Sequence, residues 1–190
     1  MKRCFWCRKS LVISIFFVSG IIMLTTAGMA QEQEAQYPIV KGFGGIYPIE
    51  QATKFPDTTL TYRLVIDVTA KAAGPSLINP SLNNVARLLN LHGLGGVPAD
   101  QLEVVAVIHS AATPLVLAPE AFQRETGHPH PDAAIVHALQ QAGVHFYVCG
   151  QSLRARGYEG LPLLPAIDVS ISALTILTEY QLRGYALISL

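Results

Sequence analysis

The chain has 190 residues, 51% of them hydrophobic, with thirteen Lys and Arg balancing thirteen Asp and Glu, and only three cysteines. No internal repeat is visible, so one folded domain behind a leader is the natural organisation. Four of the basic residues fall in the first ten positions, and the remainder carries nine basic against thirteen acidic residues, a net of −4. That balance argues against nucleic-acid binding, which needs a cationic surface to neutralise phosphates.

Residues 1–30 read as a signal peptide. Lys2, Arg3, Arg8 and Lys9 form a basic start, Leu11 to Ala27 is almost wholly apolar, and Gly28-Met29-Ala30 offers small residues for cleavage before Gln31. The sequence thus predicts a periplasmic or secreted protein with no membrane attachment after cleavage. The alternative is a chain anchored by an uncleaved leader, since the apolar stretch is near the lower limit for spanning. Cys4 and Cys7 have C-x-x-C spacing but lie in this leader, and no second pair completes a zinc site.

Residues 31–56 form an extended arm, polar at first and then rich in Gly and Pro, with Tyr37, Phe43 and Tyr47 to help it dock. The domain proper spans 57–190. Leu60–Val68 is β-branched and aromatic and reads as a first strand. Asn79-Pro80 opens a helix with a capping residue and a Pro at the first position, Leu82, Val85, Ala86, Leu88 and Leu89 give it an apolar face, and Gly93 ends it. Gln101–His109 is a second strand, apolar enough to be covered on both faces.

A looser stretch with Pro114, Pro119 and Gly127 follows, then a helix from about Asp132 to Gln141. Val144–Val148 is the third strand, followed by a short helical segment at Gln151–Arg156. A brief strand near Ile167–Val169, a helix at about Ser172–Leu182 and a last strand at Tyr185–Leu190 close the chain. Strands alternating with helices of this length predict an α/β fold with a parallel, doubly wound sheet. No Gly-rich dinucleotide or triphosphate loop is present, and Ser76, Ser110 and Ser152 lack the setting of a hydrolase nucleophile.

Cys149 carries the clearest chemical signal. It ends an apolar strand and precedes Gly150 and a short helix, which places it at the carboxyl edge of the sheet, where α/β proteins build their sites. The N–H groups of Gln151 and Ser152 can face its sulfur and favour the thiolate, and Arg154 and Arg156 can add positive potential. The opposing reading is a small, buried, inert hydrophobe. His109 ends the preceding strand on the same edge, as a base or hydrogen-bond partner, or simply as a polar strand end. Asp67 is either a site carboxylate or solvated at the sheet edge. His128, His130 and His137 lack a second ligand pair, so no metal is expected.

Several stretches resemble the DsrE/DsrF-like family, in particular its exported members. They are Lys41-Gly-Phe-Gly-Gly45, Asn79 through Val85–Leu91, Val104–Ser110, Ala142–Ser152 with its Val-Cys-Gly-Gln-Ser core, Ser172–Thr175 and Gln181–Leu187. The resemblance implies a single-domain, three-layer α/β sandwich with a mainly parallel sheet, assembled as a homo-oligomer, a trimer or hexamer. It also implies a sulfur carrier that holds sulfane sulfur as a persulfide on Cys149, with His109 bordering the pocket. Gln151 and Ser152, read from their place after the strand, complete the expected site, and no cofactor is expected. Its partners would be a small sulfur donor or a partner thiol protein. A non-catalytic oligomeric binding module and a thiol redox sensor are the rival functions. Two positions depart from the family pattern: Ser110 replaces a Gly, and His130-Pro131-Asp132 replaces Asn-Pro-Asn.

Overall fold

The structure is a computed structural model that describes residues 33–190. The expected signal peptide and the Cys4–Cys7 pair lie outside the described residues. Five strands form one sheet: β1 (Tyr62–Val68), β2 (Leu102–Ile108), β3 (His145–Cys149), β4 (Ile167–Ser170) and β5 (Ala186–Ser189). Their order is β4-β3-β2-β1-β5, and every pairing is parallel. Parallel neighbours need crossovers, and five helices supply them: α1 (Pro80–Leu94), α2 (Pro119–Thr126), α3 (Ala133–Gln141), α4 (Gly150–Ala155) and α5 (Ala173–Leu182).

The sheet is covered on both faces, making a three-layer α/β sandwich. Leu64, Ile66 and Val68 of β1, Val104, Ala106 and Ile108 of β2, and Phe146 and Val148 of β3 face α1 and α3 in the larger core. The alternate residues Val65, Val105, Val107, Tyr147 and Cys149 face the opposite way and pack under Ala173, Ile176, Leu177 and Tyr180 of α5. This two-sided burial is why the central strands read as continuous apolar runs. Each large side chain fully withdrawn from water here contributes about 1.5–3 kcal/mol before its ordering cost.

Asn79 caps α1 through its side chain on the Ser81 N–H, with Pro80 at the first turn. The helix does not stop at Gly93: it runs to Leu94, and Gly95 is its cap. Gly93 is needed for another reason. A Cβ there would sit 2.8 Å from Ile39, so the glycine makes room for the N-terminal arm. The stretch at 110–127 is also more ordered than its prolines suggest. It holds a 3-10 turn at Ser110–Val116 and then α2, with Pro119 at the first helical position and Gly127 ending it in the left-handed conformation.

The arm is fastened to α1 by one buried side chain. Asn90 Oδ1 accepts the N–H groups of Ile39 and Val40 at 2.9 and 2.8 Å, and its Nδ2 donates to the carbonyls of Val40, Phe43 and Gly44. Asn83 accepts the Gly44 N–H at 2.9 Å. Gly44 itself approaches α1 so closely that a Cβ would lie 2.2 Å from the Arg87 nitrogen. The glycines of Lys41-Gly-Phe-Gly-Gly45 therefore serve packing of the arm.

Candidate functional site

Side-chain alternation puts three chemically capable residues on one face at the carboxyl ends of three adjacent strands. Val65, Val107 and Cys149 face α5, so Asp67, two residues beyond Val65, and His109, two beyond Val107, share that face. Asp67 stands opposite Val107 in the β1–β2 register, and Ile108 stands opposite Val148 in the β2–β3 register. His109 is consequently flanked by Asp67 on one side and Cys149 on the other.

His109 Nε2 lies 2.6 Å from Asp67 Oδ1, with the two side chains only 20% and 23% exposed. A carboxylate only accepts, so Nε2 carries the hydrogen, and Nδ1 of the neutral ring is left as the acceptor. That acceptor faces the Ser110 hydroxyl at 3.0 Å. The sequence alone shows no group orienting His109; the structure shows that Asp67 does. Asp67 is thus paired with His109 and mostly shielded, not simply solvated at the sheet edge.

Ser110 continues the network. Its backbone has φ +53, the left-handed region that favours glycine. The turn is held by Arg156, whose Nε donates to the Ser110 carbonyl at 3.0 Å, and by the Thr113 hydroxyl donating to the same oxygen at 2.8 Å. The Ser110 N–H donates in turn to Ser152 Oγ at 3.2 Å.

Cys149 is 5% exposed. Burial pushes its thiol up, yet four donors outweigh burial: the N–H of Ala173, the Ser152 hydroxyl, and the N–H groups of Ser152 and Gln151. The net effect holds the thiol below its ordinary value, which enlarges its thiolate fraction. Gln151 acts through its backbone, Ser152 through both backbone and hydroxyl. The arginines do not join them. Arg154 pairs with Glu159 at 3.3 Å, and Arg156 is spent on Ser110. The start of α5, distant in sequence, supplies the Ala173 N–H that sequence reasoning missed.

Gly150 is fixed by its neighbour strand. A Cβ there would meet the Ser170 carbonyl oxygen at 2.7 Å, and Ser170 is the register partner of Cys149. Only glycine lets β3 turn into α4 this close to β4. Of the histidines in the 128–132 loop, His130 has a packing role: it stacks on Phe122 at 4.3 Å and bonds the Leu115 carbonyl and the Asp132 N–H.

The profile of the DsrE/DsrF-like family matches residues 64–190, which include Asp67, His109 and Cys149. The chain belongs to the DsrE/DsrF-like family. Two solved structures share its fold. One is the protein of unknown function MTH1491 from Methanobacterium thermoautotrophicum, 22% identical, with a TM-score of 0.51 over 68% of this chain and 99% of that one. The other is the ychN protein from E. coli, 17% identical, with the same TM-score and the same coverage. A search of curated proteins finds no match.

Proposed function

We propose that this DsrE/DsrF-like protein is an exported sulfur carrier in which Cys149 holds sulfane sulfur as a persulfide. The observation that carries the reading is the set of four donors around a single thiol at the carboxyl edge of the sheet, which lowers its pKa against the pull of burial. The Cys149 thiolate attacks the outer sulfur of a donor such as thiosulfate; the new S–S bond forms as the donor's own S–S bond breaks, and sulfite leaves with the bonding pair. An acceptor thiolate then attacks the outer sulfur of the persulfide, and Cys149 departs as the thiolate. No outside oxidant or reductant is needed. The same four donors stabilise the thiolate at the start and as leaving group, while Asp67 and Ser110 fix the ring of His109 at the same edge of the sheet.

Cold cyanolysis tests the reading. Protein incubated with thiosulfate should release thiocyanate, and Cys149→Ser should release none. A silent wild-type protein would remove the carrier function.

Assembly as a homo-oligomer is supported by α5 and its approach. Ile171, Leu174 and Leu182 are 80%, 73% and 85% exposed, an apolar surface that a second copy would cover. A non-catalytic binding module is the second reading, favoured by the near-complete burial of Cys149. Normal function after Cys149→Ser would decide for it.

A further inference from the structure

A second feature of the carboxyl edge is independent of Cys149. Beyond the ends of β1 and β2 a cleft of about 440 Å³ opens between the 71–75 loop, the 3-10 turn, α2 and the 128–132 loop. Its size falls in the range of small-molecule sites, roughly 300–1,000 Å³. Ala112, Pro114, Leu115 and Phe122 give it apolar walls.

Asp132 lines this cleft while being only 3% exposed. Its Oδ1 accepts the Asn79 N–H at 2.6 Å. Its Oδ2 accepts no hydrogen bond from any described residue. Because no fully buried side-chain oxygen or nitrogen among the described residues lacks a partner, Oδ2 keeps a small exposure, and the cleft is the open space that Asp132 lines. Two polar neighbours are already used: the Asn79 amide is spent on the Ser81 N–H and the Ala70 carbonyl, and His130 on Leu115 and Asp132. The cleft therefore presents one desolvated carboxylate oxygen against apolar walls. Such an oxygen calls for a charged donor, because a buried charge is tolerated when it is paired.

We propose that this cleft binds a small primary amine with a compact apolar body, its ammonium on Asp132 Oδ2 and its body against Pro114, Leu115 and Phe122. Lys71 and His128 stand at the cleft as well, and both are exposed. A second positive charge on the ligand would meet the Lys71 ammonium, so a monoamine is favoured over a diamine.

The test is an amide-shift titration of the purified protein with isoamylamine, isoamyl alcohol and cadaverine. Saturable shifts in residues 71–79 and 111–132 are expected with isoamylamine, at least tenfold weaker with the isosteric alcohol, and weaker with cadaverine. Asp132→Asn can still accept the Asn79 N–H, so it should fold and should lose at least tenfold in isoamylamine affinity while binding the alcohol unchanged. Absence of saturable shifts at millimolar amine, equal binding of amine and alcohol, or an Asp132→Asn variant that binds isoamylamine like the wild type would each overturn the proposal.

Discussion

The Ser152 hydroxyl accepts the Ser110 N–H at 3.2 Å and reaches the Cys149 thiol. Because its lone pair is engaged by Ser110, its hydrogen is free to be donated to sulfur. The relationship joins two parts of the site: the Asp67–His109–Ser110 chain on β1 and β2, and the donor set around Cys149 on β3.

Removing that hydroxyl should weaken the thiolate. Ser152→Ala leaves the Ala173, Gln151 and Ser152 N–H groups but deletes a donor, so the Cys149 pKa rises toward the ordinary range. Alkylation by a small haloacetamide at neutral pH should slow several-fold, with the pH–rate midpoint moved upward. An unchanged midpoint would mean that the hydroxyl does not touch the sulfur in solution.

Asp67→Asn tests the orientation of His109. The amide presents either a carbonyl or an NH₂ group to Nε2, so the ring is no longer held in one tautomer. Exchanging the charged acceptor for a neutral one should cost about 1 kcal/mol of stability, read from urea midpoints. A proton NMR spectrum should show exchange between ring tautomers.

Ser110→Gly relieves a left-handed serine. The variant should gain about 1 kcal/mol from backbone relief, less whatever the lost hydroxyl contact with His109 contributes. Thermal unfolding measures the sum, and a clear loss of stability would show that the hydroxyl outweighs the strain.

These contacts were unequally legible in the sequence. The strand ends at Asp67, His109 and Cys149 and the Asn79-Pro80 helix start could be read because periodicity and capping are local. The Asp67–His109 pair could not, because it depends on which strand lies beside which and in what register. Pro119 and Gly127 look like breakers yet bound α2, since the same residues that interrupt a helix also begin and end one. Asn90 gave no signal at all: its partners lie 46 to 51 residues upstream, and on the helix pattern it passes for part of the polar face.

Asn90→Ala should therefore be among the more damaging changes in the chain. It leaves the backbone groups of Ile39, Val40, Phe43 and Gly44 without their partner, each buried one costing about 1–3 kcal/mol if water cannot replace it. Limited proteolysis should cut within 33–56 in the variant well before the wild type. Equal resistance would show that the apolar contacts of the arm hold it unaided.

Asp132 predicts a pH dependence of stability. Burial raises its carboxyl above the ordinary value, against the opposing Asn79 N–H, so the folded state binds this proton more tightly than the unfolded chain. The resulting contribution is fully present below the unfolded carboxylate range and is lost as pH rises through the folded value. Asp132→Asn should then be the more stable protein at neutral pH, with the difference shrinking as pH falls. Unfolding midpoints across that window measure it, and a difference that grows on acidification would reverse the sign.

The central claim is that Cys149 takes up and holds sulfur, and mass spectrometry of the purified protein tests it most directly. After exposure to polysulfide or thiosulfate, then removal of the donor, the peptide containing Cys149 should carry one added sulfur atom, lost again on treatment with an acceptor thiol. A Cys149 that alkylates readily yet gains no sulfur from any donor would contradict the account.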